Sequence, residues 1–272
     1  MHLTNGKKIT TFILIFYFTI ISWITVQVVD RNWSVGIHGE TPLTDFWYIQ
    51  LGGAEDSIII DSLMMTLLTI LGAFLFIYIK NNRSFYMVQQ RIGYTVFLKR
   101  AMIASFLGAF GLSIITKLYE LIIIILTTKK LPSNIILPKN IRFGNGPFYD
   151  NTLLSFAIFV LLSSIGWGVY AIFIFAVGLF VRKNSIFIVL GVVFGLSLIT
   201  GIALGANFSL FTAHILYVIL LTTLISPGQL RMGIFQLHQP NVYISFFWAA
   251  LAYAGMSWLI MKLWLKRRKV AD

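Results

Sequence analysis

The sequence predicts an all-α integral membrane protein with six transmembrane helices, a basic surface helix between the second and third, and an outer re-entrant helical hairpin before the last. Of its 272 residues, 58% are hydrophobic and only 11% are charged, whereas about a quarter of a soluble domain is charged. Apolar stretches follow one another along the chain, and basic residues gather at alternate connections between them. The whole chain, residues 1–272, is therefore expected to form one transmembrane domain.

Six of the apolar stretches have the length and composition of membrane spans, which need about 20 apolar residues each. The first follows Lys7 and Lys8 and is longer than the apolar core of a signal peptide. The fourth is longer than the bilayer requires, so we expect it to tilt or to project. We place the six spans at residues 9–29, 58–79, 101–126, 152–180, 185–206 and 242–265.

A seventh apolar stretch, residues 208–225, is interpreted as part of a re-entrant hairpin over about 208–240. It is short, carries His214, and is followed at once by a Ser-Pro-Gly sequence. If it crossed the membrane, the N-terminal lysines and the basic C-terminal tail would lie on opposite sides. A hairpin on the outer side avoids this, because irregular backbone is tolerated at membrane depth where protein or a water-filled cavity covers it.

The distribution of positive charge predicts that both termini are cytoplasmic. In the six-span arrangement, the inner segments hold more than twice as many Lys and Arg residues as the outer segments. Because an excess of these residues marks the cytoplasmic side, we expect a multi-pass protein of the cell membrane. The net charge of +12 then reflects cytoplasmic segments that face anionic lipid, and no nucleic-acid partner is expected.

The segment 84–100 is basic and partly amphipathic. Arg91, Lys99 and Arg100 are interleaved with aromatic and aliphatic residues. A helix of this composition lies at the membrane surface, with its apolar side chains in the boundary and its cations in water. The alternative is an ordinary positively charged loop between two spans.

The same segment carries a resemblance to a known family. It has Arg-Ile-Gly-Tyr at 91–94 and Phe-Leu-Lys-Arg at 97–100, and it leads into a third span rich in Ser and Gly. This resembles the coupling helix of type 2 ABC transporter permeases, which docks in a groove of a cytoplasmic ATPase. The number and order of the spans resemble that family as well. The resemblance implies that ATPase coupling depends on Gln90, Arg91, Ile92, Gly93, Tyr94, Phe97, Leu98, Lys99 and Arg100.

The resemblance also implies a function and partners. The chain would be the permease subunit of an exporter for a hydrophobic or amphipathic cargo, such as an antimicrobial peptide, a drug or a lipid-like molecule. It would work as a dimer with a second permease chain, the same or related, and with a separate ABC ATPase subunit that binds ATP and Mg²⁺. The chain itself has no Gly-x-x-x-x-Gly-Lys-Ser/Thr phosphate loop, so it is not expected to bind a cofactor or to be an enzyme. Its four scattered histidines and lack of cysteine predict no metal site.

Ionisable residues inside the predicted spans are candidates for a translocation path. Lys117 and Glu120 are three residues apart and so lie on one helix face. Such groups are costly in a membrane and mark a pathway or a partner. They either pair with each other near the outer boundary, about 25 Å along the third span, or line the outer mouth of a path together with Asp61. Ser163 and Ser164 of the fourth span are further candidates for lining it.

Two glycine pairs in the fifth span predict close helix packing. Gly191 and Gly195 form the first pair, and Gly201 and Gly205 form the second. Glycines four residues apart let helix backbones approach closely. The spacing predicts tight packing within the bundle or at a dimer interface.

A self-contained membrane protein, either an ion-coupled transporter or a membrane enzyme, is the alternative function. An ion-coupled transporter should carry buried acids near the bilayer midplane and internal repeats. Neither is evident, because Asp61 and Glu120 are predicted towards the outer side. An enzyme should show a convergent nucleophile or metal set, and the sequence shows none.

Overall fold

The computed structural model describes residues 2–34, 42–50, 55–68, 71, 73–82, 84–132, 151–205, 215, 219–228 and 241–271. Within these ranges all regular secondary structure is helical and there is no β-strand, which confirms the predicted all-α fold class. The helices, in chain order, are α1 (His2–Ser34), α2 (Pro42–Ile49), α3 (Glu55–Leu68), α4 (Phe74–Asn81), α5 (Ser84–Thr128), α6 (Thr152–Gly178), α7 (Asn184–Gly205), α8 (Leu221–Ile225) and α9 (Val242–Ala271).

Four of these helices, α1, α5, α6 and α9, are long and apolar enough to cross a membrane. They coincide with the first, third, fourth and sixth predicted spans. A helix satisfies its own backbone hydrogen bonds, which the bilayer interior demands, so these elements fit a membrane-embedded protein. The segments with this length and composition are Thr11–Arg31, Gln90–Thr128, Thr152–Gly178 and Val242–Arg268.

The second and fifth predicted spans stay predictions. Residues 58–79 were expected to form one helix, but they are divided between α3 and α4. Leu71 and Ala73 lie between these two helices in π-helical conformation, which marks an interruption of the regular hydrogen-bond ladder. α7 covers the fifth predicted span, although its apolar part, Asn184–Thr200, is shorter than those of the four long helices.

α6 is the centre of the bundle and packs against α5, α7, α8 and α9. Its side chains Trp167, Tyr170 and Phe175 are almost completely buried. Lipid tails are as apolar as these side chains, so helix association in a membrane depends on close packing more than on removal of apolar surface from water. Gly168 allows one such approach, because a Cβ at this position would meet the ring of Phe106 on α5.

Lys80, at the end of α4, caps the C-terminal end of α6. Its Nζ donates hydrogen bonds to the carbonyl oxygens of Gly178 at 3.1 Å, Leu179 at 2.9 Å and Val181 at 2.6 Å. These carbonyls lie at and just beyond the end of α6, where helix carbonyls lack intrahelical donors, and that of Gly178 also accepts the backbone N–H of Val181. A buried cation at this position is favourable because the C-terminal end of a helix carries partial negative charge.

We call the end of the bundle where α4, α6 and α9 finish the basic end. The Arg267 guanidinium lies 5.3 Å from the ring centroid of Phe180, so the end of α9 is close to the end of α6. Exposed Arg182 and Lys183 follow in the turn before α7. The connection between the fourth and fifth predicted spans is therefore basic and lies at this end of the bundle.

α2 is an element that the sequence analysis missed. It lies between the first and second predicted spans, where no regular element was predicted. Leu43, Phe46 and Trp47 are buried, and both aromatic rings pack edge-on against Phe159 of α6. The apolar side of this short helix faces the core, so the helix covers the end of the bundle opposite the basic end.

Most of the predicted hairpin at 208–240 lies outside the described residues. The described part is Ile215, which is exposed, and residues 219–228. In this second stretch α8 is fully buried and packs against α6 and α9. The hydroxyl of Ser163 donates to the carbonyl of Ile225. A Cβ on Gly166 would overlap the carbonyl oxygen of Leu224, so this glycine is what lets α8 reach the backbone of α6.

Candidate functional site

A break at Gly93 interrupts α5 inside the predicted surface helix, residues 84–100. Gly93 has φ 70° and ψ 165° inside α5, a conformation that is essentially restricted to glycine. The break divides α5 into a short helix, residues 84–92, and a long helix, residues 94–128. The sequence analysis placed the end of the surface helix at residue 100, beyond this break. A glycine inside a basic segment was the only sequence signal for this break.

The short helix, residues 84–92, presents a mixed apolar and basic surface. Tyr86 and Met87 are 67% and 65% exposed, and Gln90 and Arg91 are exposed as well. Exposed large apolar residues beside a cation are typical of a contact with a partner or a membrane surface. We call these four side chains the exposed face of the short helix.

The other predicted coupling residues lie at or beyond the break. Ile92 and Tyr94 are half-buried, and Lys99 and Arg100 are exposed on the long helix. Phe97 and Leu98 are buried in the core, with 2% and 5% exposure, because they begin the part of α5 that packs inside the bundle. These two side chains are therefore placed to support the segment from within.

An aromatic cluster attaches the short helix to the bundle. Phe85 is buried and its ring centroid lies 5.4 Å from that of Phe97 and 6.3 Å from that of Trp264 on α9. The Arg268 guanidinium lies 5.8 Å from the centroid of Phe85. Displacement of the short helix would therefore act on α5 and α9 together, because packed side chains transmit strain.

A second candidate region lies at the opposite end of the bundle, where α5 carries Lys117 and Glu120. Both side chains are buried, with 5% and 1% exposure. Gln50, which follows α2, donates a hydrogen bond of 2.7 Å from Nε2 to Oε2 of Glu120. Lys117 interacts electrostatically with both Glu120 and half-buried Asp61 of α3. We call Gln50, Asp61, Lys117 and Glu120 the polar cluster.

The polar cluster contains the three ionisable residues that the sequence analysis singled out. Both alternatives remain open, because Lys117 and Glu120 interact with each other and Asp61 is also within electrostatic range. The ammonium of Lys117 also lies 5.6 Å from the ring centroid of Phe159, a distance typical of a cation–π contact. The sequence analysis missed Gln50, because a single glutamine in a predicted loop carries no periodic signal.

Hydrogen bonds between α1 and α5 continue this polar face. The hydroxyl of Tyr17 is 2.9 Å from Oγ1 of Thr116, and the hydroxyl of Ser22 is 2.6 Å from that of Tyr119. Polar groups that bond across helices add specificity to helix packing in a membrane. The register of α1 against α5 is therefore fixed next to the polar cluster.

The two serines predicted as path residues lie in helix contacts. Ser163 donates to the backbone of α8, and Ser164 donates to the hydroxyl of Ser113 on α5 at 3.1 Å. Both side chains have 0% exposure. In this arrangement they join helices and face no open channel.

The first glycine pair of α7 lies inside the bundle. A Cβ at Gly195 would clash with the sulfur of Met65 on α3 and with the hydroxyl of Tyr170 on α6. The same hydroxyl donates to the carbonyl of Gly191. Close packing at this pair occurs within the chain. Gly201 and Gly205 continue α7, but the surroundings of these two residues lie outside the description.

Among the described residues, no group of three or more His, Asp and Glu side chains is placed to hold a metal ion. Comparison of the chain with protein-family models, with curated proteins and with solved structures finds no match.

Proposed function

We propose that this chain is the membrane-spanning permease subunit of an ABC transporter, coupled through residues 84–92 to a separate cytoplasmic ATPase. It pairs with a second permease chain, and the ATPase binds ATP and Mg²⁺. The proposal extends the resemblance in the sequence at 90–100. The observation that carries it is the glycine break at Gly93, which separates a short exposed helix from a long apolar one.

The surface of the short helix supports this proposal. A groove on a soluble partner would take the apolar side chains of Tyr86 and Met87, and acidic groups at its rim would pair with Arg91. The hydroxyl of Tyr86 and the amide of Gln90 would supply polar contacts around them. An ordinary loop between two spans would not need a helix whose buried residue, Phe85, is fixed to two other helices.

The long part of α5 provides a route from the ATPase to the opposite end of the bundle. In the mechanism we propose, closure of the ATPase pair displaces the short helix, and Phe85 transfers this displacement to Phe97 and Trp264. Residues 94–128 move as one rigid helix. Their far end carries Lys117 and Glu120, so the displacement reaches the polar cluster at the other end of the bundle.

The proposal includes six spans with both termini in the cytoplasm. In this arrangement the basic end is cytoplasmic, as the positive-inside rule expects for an end with Arg182, Lys183, Arg267 and Arg268. Residues 58–79 form the second span, which ends just before Lys80, and residues 185–206 form the fifth. The residues around α8 form the outer hairpin, which is supported by the complete burial of α8 in the described part.

The cargo of this permease is proposed to be hydrophobic or amphipathic, such as an antimicrobial peptide, a drug or a lipid-like molecule, and it is exported. The aromatic content of 15% and the exposed apolar sides of the long helices support an apolar route along or between the permeases. This choice extends the resemblance in layout to that family.

The test is association of the full chain, in nanodiscs, with candidate ABC ATPase subunits. Arg91→Glu reverses a charge on the exposed face, and Gly93→Pro changes the break. Arg182→Glu is the matched control, because it reverses an exposed charge at the same end but outside residues 84–92. We expect the first two changes to release the ATPase and the control to retain it. Equal association of all four proteins with the ATPase would overturn the proposal.

A second candidate function is ion-coupled transport without an ATPase. Burial of Lys117 and Glu120 beside Asp61 favours it, because ionisable groups in a membrane interior mark ion pathways. The discriminating measurement is uptake or efflux by the purified chain alone in liposomes with an imposed proton or sodium gradient. Transport that follows the gradient and is lost in Glu120→Gln would support this second function over the first.

A further inference from the structure

A lateral groove with a volume of about 510 Å³ lies between α5 and α9, with α6 as its floor. Sites for small molecules commonly have volumes of this size. Val169 and Ile172 of α6 form the floor. Next to its basic end, α5 and α9 are in contact through Tyr94 and Trp264, whose ring centroids are 5.8 Å apart. Its other side opens outward, because Trp258 on its edge is 58% exposed.

Two lysines line the groove, one from each of its two side helices. Lys99 comes from α5 and Lys262 from α9, and both are exposed. The Lys262 ammonium lies 4.8 Å from the ring centroid of Trp258. No acidic residue is among the described residues that line the groove. The two positive charges are therefore complementary to an anionic group, while the remaining lining is almost entirely apolar.

The length and position of the groove fit a membrane lipid. On α9 the lining extends from Ala254 to Leu265, about 16 Å along the helix. This is about the depth of one leaflet, since the hydrocarbon core is about 30 Å thick. Basic pockets between transmembrane helices are typical sites for anionic lipid head groups.

We propose that this groove binds one anionic phospholipid from the leaflet at the basic end. The phosphate lies between Lys99 and Lys262, and one acyl chain lies along the apolar floor towards Ala254. This site is independent of the exposed face of residues 84–92. A lipid bound at this site would nevertheless contact the beginning of the long part of α5, because Lys99 is six residues after the Gly93 break. The position of this helix end would therefore depend on lipid composition.

A second copy of the chain is a less suitable occupant. The acids in the described ranges, such as Asp30, Asp61 and Glu120, lie towards the opposite end of the bundle. A partner chain related by a twofold axis along the membrane normal would present these acids far from Lys99 and Lys262. Lipid head groups supply the negative charge at the correct depth.

The test is thermal unfolding of the full chain in a neutral detergent with added phosphatidylglycerol, compared with phosphatidylcholine that has the same acyl chains. We expect phosphatidylglycerol to raise the unfolding midpoint more than phosphatidylcholine does. Glycerol phosphate, which has no acyl chains, should have no such effect. An equal rise with both lipids, or the same rise with glycerol phosphate alone, would overturn the proposal.

Variants then locate the effect. The double variant Lys99→Gln with Lys262→Gln should need about 25-fold more phosphatidylglycerol, since each lysine near an anionic head group contributes roughly fivefold. Arg182→Gln with Lys183→Gln is the matched control, which removes two exposed charges at the same end but outside the groove. It should respond as the wild type does. Equal losses in the two double variants would overturn the site, because the effect would then depend on net charge.

Ala254→Phe provides a test that leaves both lysines in place. Ala254 is exposed and lies at the apolar end of the groove, so the larger side chain fills the acyl-chain part. We expect it to weaken the response to phosphatidylglycerol while the midpoint without lipid is unchanged. An unaltered response would overturn the groove as the site. A change of oligomeric state in either the lysine or the Ala254 variant, measured by light scattering, would show that the groove is a contact between copies instead.

Discussion

Gln50, which directly follows α2, donates a hydrogen bond of 2.7 Å to Glu120 on α5. The exposed fractions of the two side chains are 7% and 1%. A hydrogen bond contributes about 0.5–1.5 kcal/mol net, and more where one partner is charged, so this bond is a substantial contact between α2 and α5. The bond therefore ties the end of α2 to the polar cluster.

Replacement of Gln50 should loosen α2 from the bundle. We expect Gln50→Ala to lower the free energy of unfolding by about 1–3 kcal/mol, because Glu120 loses a buried donor. Gln27→Ala is the matched control, since Gln27 is exposed on α1 and its loss should change stability by less than about 0.5 kcal/mol. Thermal unfolding in detergent measures both. Equal effects of the two changes would show that the hydrogen bond does not stabilise α2.

Lys117 and Glu120 should behave as a coupled pair. Lys117→Met alone removes the cation that lies within electrostatic range of Glu120 and should lower the free energy of unfolding, because a buried acid loses its compensating charge. Glu120→Leu added to it removes the uncompensated charge, so the double variant should be more stable than Lys117→Met. A double-mutant cycle of unfolding free energies gives the coupling. Additive effects would contradict the interaction between the two residues.

Lys80 should stabilise the junction between α4 and α6. Lys80→Met removes the donor to three carbonyl oxygens and should lower the unfolding free energy by about 1–3 kcal/mol. Lys183→Met is the matched control, because Lys183 is exposed in the following turn. Equal free energies of unfolding for Lys80→Met and Lys183→Met would contradict the capping role of Lys80.

The contribution of Lys80 should also depend on pH. Burial, and next the positive charge of Arg268, lower the pKa of Lys80 from 10.5 to about 8. Between these two values the unfolded chain holds more protons than the folded protein, so the stability that depends on Lys80 rises with pH. The wild type should therefore gain stability relative to Lys80→Met as the pH rises above about 8. If the stability difference between the wild type and Lys80→Met falls as the pH rises above about 8, the lowered pKa of Lys80 is contradicted.

The proposed topology can be tested with single cysteines, because the natural chain contains none. Lys183→Cys places a thiol at the basic end, and Leu131→Cys places one at the opposite end, where Leu131 is 80% exposed. A maleimide that does not cross membranes should label Leu131→Cys on intact cells and Lys183→Cys only after lysis. Labelling of Lys183→Cys on intact cells would contradict the cytoplasmic position of the basic end.

The long helices could be predicted because hydropathy over about 20 residues identifies them without any tertiary information. α1, α5, α6 and α9 coincide with predicted spans for this reason. The division of residues 58–79 into α3 and α4 could not be predicted in the same way. Its apolar composition continues through the interruption, so hydropathy does not register the change of backbone conformation at Leu71 and Ala73.

The candidate sites were predicted only in part. The sequence analysis identified Lys117, Glu120 and Asp61 because ionisable groups are rare in apolar stretches. Gln50 could not be identified in this way, because it contacts Glu120 only when α2 packs against α5. α2 itself has a start signal, Pro42 at its first position with Asp45 in its first turn, a pattern that favours helix initiation. The signal was outweighed by the polar composition around it. The groove between α5 and α9 involves residues more than 150 positions apart, such as Lys99 and Lys262, which no local pattern joins.

The break at Gly93 can be altered without a steric clash, because a Cβ at this position would have open space around it. Gly93→Ala therefore changes only the backbone preference, which costs about 1–3 kcal/mol in this conformation. Gly111→Ala is the matched control, since Gly111 is helical and also has open space around it. The measurement is ATP turnover by the associated ATPase in nanodiscs. We expect Gly93→Ala to reduce the stimulation by the permease about tenfold, as that strain energy implies, and Gly111→Ala to preserve it. Full stimulation by Gly93→Ala, equal to that by Gly111→Ala, would contradict coupling through residues 84–92.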